Sequence, residues 1–162
     1  MTAIIFPGQG SQYLNMSMDF NEHFDVARKV FQEIEDSTQI NIRKIIAENP
    51  LDKLNQTNFT QISIFSASMA IYKTLLSEFD NKIIKPKIVL GHSLGEYSAL
   101  VAGNLIKITD ASILIKKRGE LMHSSIEPNV SGMAAIIGKN ADFIDDVIKK
   151  NNLKIVIAND NS

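Results

Sequence analysis

The 162-residue chain contains no cysteine. That absence excludes a disulfide framework, a cysteine nucleophile and a zinc–cysteine site. Neither charge is in excess: 17 Lys and Arg stand against 18 Asp and Glu, for a formal net charge of −1. Nucleic-acid binding needs a basic face that neutralises phosphates. A polyanion binder is therefore not expected, and any anion must be met by single placed residues. No run approaches the roughly 20 apolar residues of a membrane span. The start, Met1-Thr2-Ala3-Ile4-Ile5-Phe6-Pro7, lacks the basic region and the apolar length of a signal peptide. The expectation is a soluble cytoplasmic protein without a metal site. Repeats and low-complexity tracts are missing too. What is present is 44% hydrophobic residues, an ordinary share for a globular core, over a length that fits one domain or slightly more.

Along the chain, apolar runs and helical stripes alternate. Residues 3–6 read as a short buried strand closed by Pro7-Gly8, followed by the glycine-rich loop Gly8-Gln9-Gly10-Ser11-Gln12. Phe24, Ala27, Phe31 and Ile34 recur at helical steps, and residues 42–47 form a turn or two of helix ended by Asn49-Pro50. Thr60 is the expected N-cap of a long helix with Ile62, Phe65, Met69, Tyr72, Leu76 and Phe79 as its core stripe. Asp80-Asn81 opens the turn into a second strand over 88–90. A helix ending near Gly103, another capped by Thr109 or Asp110 and running to about Ser125, and a boundary at Pro128-Asn129 and Gly132 come next. The last stretch reads as strand 133–137, helix 141–150 and strand 153–157. Alternating strands and helices indicate an α/β layered fold.

Gly91-His92-Ser93-Leu94-Gly95 has the G-x-S-x-G form, with a strand before it and a helix after it. In a nucleophile elbow this turn lifts a serine hydroxyl above the sheet. The glycines serve the crowded backbone, and the amide of Leu94 becomes an oxyanion donor at a helix start. The loop Gly8-Gln9-Gly10-Ser11-Gln12 follows a strand, at the sheet edge where ligands of parallel α/β sheets collect. It fits a second oxyanion donor as well as it fits a plain tight turn. Arg118 lies four residues after Leu114, three before Leu121 and four before Met122, on one apolar face. By pattern alone a structural ion pair is the simpler reading of it; a ligand's carboxylate is the other. The three histidines, His23, His92 and His123, are each read as structural. Side chains of neighbours at a tight turn diverge, so His92 does not reach Ser93. The carboxylates Asp110, Glu120 and Asp142 fall at caps or exposed positions, and Glu96 is in the first turn of the elbow helix. No general base for Ser93 is found.

Three stretches taken in order, Phe6-Pro7-Gly8-Gln9-Gly10-Ser11-Gln12, Gly91-His92-Ser93-Leu94-Gly95-Glu96-Tyr97-Ser98-Ala99-Leu100 and Lys117-Arg118-Gly119, resemble malonyl-CoA:acyl carrier protein transacylases of fatty-acid synthesis and the related acyltransferase domains of polyketide synthases. Gly132-Met133-Ala134-Ala135-Ile136-Ile137-Gly138 and Ala158-Asn159-Asp160-Asn161-Ser162 extend the resemblance to the end of the chain. It implies a parallel sheet of α/β-hydrolase-like type over 1–127 and, over 128–162, the first β-α-β of a ferredoxin-like small subdomain. It implies Ser93 as nucleophile, the Gln9 and Leu94 amides as oxyanion hole, Arg118 as the anchor of the malonyl carboxylate, and Met122 at the acyl pocket. Malonyl-CoA would be the substrate and acyl carrier protein the partner, with no tightly bound cofactor.

Family members run well beyond residue 162 and carry their catalytic histidine there, so the chain resembles an N-terminal half. Strands 133–137 and 153–157 are expected to lack the strand that joins them, and residues 1–162 alone are expected to be nearly inactive and poorly soluble. Two alternatives stand beside this reading. One is a non-catalytic piece that binds carrier protein, or half of a split enzyme. The other is an α/β-hydrolase carboxylesterase.

Overall fold

Two short parallel strands anchor the fold. The computed structural model describes residues 2–79, 86–125 and 132–160; the expected turn at Asp80-Asn81, the boundary at Pro128-Asn129 and the closing Asn161-Ser162 lie outside them. Strands β1 (Ala3–Phe6) and β2 (Ile88–Gly91) pair from Ala3 opposite Ile88 to Phe6 opposite Gly91. Parallel neighbours require a crossover, which here is helical. It comprises α1 (Met18–His23), α2 (Asp25–Thr38), α3 (Ile42–Glu48), a 3₁₀ turn (Pro50–Asn55) and α4 (Thr57–Glu78). After β2 come α5 (Gly95–Ala102) and α6 (Ile108–Ser124). The chain divides into two compact units, Met1–Ile126 and Glu127–Ser162.

The expected short buried strand is buried on one face only. Phe6 is buried, but Ile5 is 71% exposed and Leu90 49%. Side chains of a strand alternate between faces, and among the described residues the helices cover one of them.

The core lies among the helices. On α2, Ala27, Val30, Phe31 and Ile34 are buried, as their spacing predicts. The end of α3 falls at Asn49, in the left-handed conformation, followed by Pro50. Helix α4 departs from expectation. It carries no single core stripe, since every residue from Thr60 to Ala67 is buried, whereas Phe79 sits past its C-terminus and is exposed. A helix covered all round is a central one. Thr60 is not its cap: Gln56 is, and Thr60 lies a turn inside. Its hydroxyl donates to the carbonyls of Leu54 and Gln56 at 2.7 and 2.9 Å, the back-bonding that lets a threonine enter a helix interior. Ser66 and Thr74 satisfy their buried hydroxyls likewise, on Ile62 and Ala70.

Helix α6 begins at Ile108, one residue before the expected cap, with Lys107 extended at the N-cap. Gly119 decides how closely it approaches α4. A Cβ there would lie 3.0 Å from Asn58 Cα and 3.2 Å from the Thr57 and Asn58 carbonyl oxygens. The bare backbone of α6 thus rests on the first turn of α4. Gly119→Leu is expected to force the helices apart, costing about 1–3 kcal/mol for overpacking. A lower denaturation midpoint at constant m-value measures that loss.

In the second unit α7 (Ala141–Lys150) forms where the sequence predicts it, with the Asn140 side chain capping the Phe143 amide at 3.0 Å. The flanking strands do not form. Residues 133–137 and 153–157 have no ladder partners among the described residues, and Met133, Ile137 and Val156 are 86%, 93% and 87% exposed. The β-α-β expectation is corrected to a lone helix with two arms. Short apolar runs suit a buried strand, but a strand exists only with a neighbour that takes its N–H and C=O groups.

Candidate functional site

The elbow forms as its glycines require. After β2, His92 leads to Ser93 at φ 51°, in the left-handed region that a non-glycine residue occupies only when its surroundings impose it. Leu94 returns to helical geometry and α5 starts at Gly95. The turn is closed by Gly95 N–H donating to the His92 carbonyl at 2.9 Å and Glu96 N–H to the Ser93 carbonyl at 3.2 Å. A Cβ at Gly91 would fall 2.0 Å from the Gly95 carbonyl carbon, and one at Gly95 would fall 2.3 Å from the Phe6 carbonyl oxygen. Backbone contact, with no room for a side chain, bends the chain here.

Because β1 and β2 are parallel neighbours, the loops that follow them emerge side by side. Gly8 packs on the elbow: a Cβ there would meet the His92 carbonyl oxygen at 2.7 Å. Loop 8–12 is held by Gly10 at φ 104°, by Gly10 N–H donating to Gln12 Oε1 at 2.8 Å, and by Ser11 Oγ donating to the Gly8 carbonyl at 2.8 Å. Two of its side chains fasten it to the next layer. Gln9 Nε2 donates to Thr57 Oγ1 at 3.3 Å, and Gln12 Nε2 to Asn55 Oδ1 at 3.4 Å. Among the described residues the backbone N–H groups of Gln9 and Leu94 have no hydrogen-bond acceptor.

Arg118 reaches the elbow from α6. Its Nη2 donates to Ser93 Oγ at 2.9 Å, its Nη1 donates to Gln61 Oε1, and its guanidinium lies 5.9 Å from the centre of the Tyr97 ring. All three partners are neutral. Among the described residues no carboxylate lies within ion-pair distance of Arg118, so the structural ion pair that pattern alone favours is not formed. The apolar face assigned to it is also redrawn. Leu114, Leu121 and Met122 are 52%, 56% and 46% exposed, while α6 buries Ile108, Ala111, Ile115 and Gly119. Arg118 sits between a buried stripe and an exposed one.

Ser93, Gln9, Arg118 and Met122 are therefore brought into one cluster, with Leu94 beside the serine. Gln61, which the sequence reading passed over as part of a core helix, links three of them. It accepts from Arg118 and donates to Gln9 Oε1 at 3.4 Å and to Met122 Sδ at 3.1 Å. The available signal was Gln61 itself, a long polar side chain flanking the apolar stripe that begins at Ile62. No histidine joins the cluster. His23 Nδ1 is 2.8 Å from the Asp19 carbonyl on its own helix, His92 Nδ1 lies over Gly8, and His123 is exposed in the last turn of α6. Among the described residues no group of three His, Asp or Glu is placed to hold a metal ion, and no helix is long and apolar enough to cross a membrane.

A left-handed serine between a parallel strand and a helix, with a glycine loop at its side, gives this α/β protein the strand–turn–helix form of an elbow. The chain belongs to the acyl transferase domain family, whose model matches residues 3–162. It is 34% identical over 148 residues to the malonyl CoA-acyl carrier protein transacylase of Haemophilus influenzae, covering 91% of this chain and 47% of that protein. Two solved structures are similar in fold. The malonyl CoA-acyl carrier protein transacylase of Coxiella burnetii has a TM-score of 0.84 at 32% identity, over 95% of this chain and 48% of its own. A malonyl-transacylase in complex with a type II polyketide synthase acyl-carrier protein has a TM-score of 0.83 at 34% identity, over 95% and 49%. The chain thus spans about half the length of the relatives it matches.

Proposed function

We propose that the protein carrying this chain moves a malonyl group from malonyl-CoA to the phosphopantetheine thiol of acyl carrier protein, through an ester on Ser93, for fatty-acid synthesis in the cytoplasm. The observation that carries this reading is an unneutralised guanidinium bonded to the elbow serine at 2.9 Å. A cation there suits an acyl group that bears a carboxylate close to its reacting carbonyl. A neutral ester has no use for it, which weighs against the carboxylesterase.

In the first half-reaction the Ser93 hydroxyl loses its proton to a base and attacks the thioester carbonyl. The Gln9 and Leu94 amides hold the oxyanion, and the C–S bond breaks to release coenzyme A as its thiol. Arg118 grips the free carboxylate with a two-pronged pair, while Met122 lines the acyl group. In the second half-reaction the carrier thiol attacks the ester, takes the malonyl group and returns the proton to Ser93. No tightly bound cofactor takes part. The base comes from outside the described residues, in the half of the family fold that this chain does not span.

Incubation of the full-length protein with radiolabelled malonyl-CoA tests the reading. A malonyl ester on the peptide containing Ser93, chased onto carrier protein, is expected; failure to label that serine overturns it. The missing base also favours a second reading, in which residues 1–162 bind carrier protein without turnover or form one half of a split enzyme. An adjacent reading frame that encodes the histidine-bearing remainder supports the split, and malonyl turnover by residues 1–162 at the rate of an intact relative excludes both.

A further inference from the structure

Gln61 is fully buried on α4, where an amide is costly unless its polar atoms are paired. All of its side-chain partners belong to the candidate site: Arg118, Gln9 and Met122. The direction of these bonds is dictated by one residue. A guanidinium has donors and no acceptor, so Gln61 must turn its carbonyl oxygen toward Arg118. Its NH₂ then faces Gln9 and finds that side chain's oxygen. The Gln9 NH₂ is in turn left for Thr57 Oγ1, one turn before Gln61 on the same helix. The result is a one-way series of hydrogen bonds from Arg118 through Gln61 and Gln9 to Thr57. Each bond polarises the next.

Two consequences follow from its chemistry. The brace on Arg118 is neutral. It holds Nη1 in place, leaves Nη2 on Ser93, and does not spend the positive charge on an internal carboxylate. The same side chain, with Thr57, clamps both ends of the Gln9 amide, and among the described residues the Gln9 backbone N–H has no acceptor. We infer that Gln61 is a positioning residue that couples the arginine to the glycine-rich loop, so that seating a carboxylate on Arg118 also sets the loop that holds the oxyanion. This rests on the reading of Arg118 as carboxylate anchor.

The experiment compares Q61E, Q61M and R118A in the full-length protein, with kcat and KM for acylation measured separately for malonyl-CoA and acetyl-CoA. Q61E gives the arginine an internal counter-ion and is expected to lower the malonyl-to-acetyl ratio of kcat/KM by about tenfold or more, the scale of one charge-assisted bond, chiefly through a raised malonyl KM. Q61M keeps the volume without the polar ends. It is expected to lower the ratio as well and, by loosening the loop, to reduce kcat for both acyl groups. Denaturation midpoints establish which variants fold, and Q61M decides if Q61E does not. A wild-type ratio in a folded Gln61 variant, alongside a lowered ratio in R118A, overturns the inference and leaves the anchor standing. A wild-type ratio in R118A removes the anchor and the inference with it.

Discussion

Ser93→Ala is expected to abolish the covalent malonyl label and to reduce transfer to carrier protein by about a thousandfold or more, the scale seen when a nucleophile is removed from a cooperating set. Among the described residues the side-chain partner of the Ser93 hydroxyl is Arg118. Ser93 is exposed at the surface of the elbow, so the substitution opens no core cavity. Alanine meets the same left-handed backbone at φ 51° with a similar steric cost. The variant should therefore keep its denaturation midpoint while losing the ester. Persistent labelling of the Ser93→Ala protein would move the nucleophile elsewhere, and a large drop in midpoint would show that the serine is structural.

Arg118→Ala has the second largest expected effect. On the proposed reading it removes two charge-assisted bonds to the malonyl carboxylate and leaves the apolar neighbours Met122 and Leu121 in place. Each such bond is worth about 1.5–3 kcal/mol, so kcat/KM for malonyl-CoA should fall by at least about tenfold to a hundredfold. Acetyl-CoA should become the better relative substrate, because a neutral acyl group no longer faces an unpaired cation. Arg118→Lys should recover only part of the malonyl rate: an ammonium keeps the charge but not the planar fork. Competition between the two thioesters, read as label on Ser93, measures the change. Unaltered selectivity in Arg118→Ala would return the residue to a structural role, although its partners Gln61, Ser93 and Tyr97 are all neutral.

Much of this site was legible one residue at a time. Gly91 and Gly95 stand where a Cβ would strike backbone, so G-x-S-x-G announces a sharp turn without any knowledge of the rest. The core stripe of α2 and the helix end at Asn49-Pro50 were readable for the same reason: their causes lie within a few residues. The failures share a cause too. The arms 133–137 and 153–157 are short apolar runs of strand-like composition, yet pairing depends on a partner from elsewhere. The face of α6 was drawn from apolar residues alone, whereas Gly119 sets which side meets α4. Thr60 was read as a cap because a threonine before an apolar run usually is one.

From its own order of residues, then, the chain determined the elbow turn, the core stripe of α2 and the absence of cysteine, because each depends on local spacing or on composition. Only the tertiary structure decided that Arg118 has no acidic partner among the described residues and that Gln61, 57 positions away in sequence, braces it. Which charges meet is a property of packed helices, since the same arginine on the same stripe serves an ion pair or a ligand according to what α4 places opposite it.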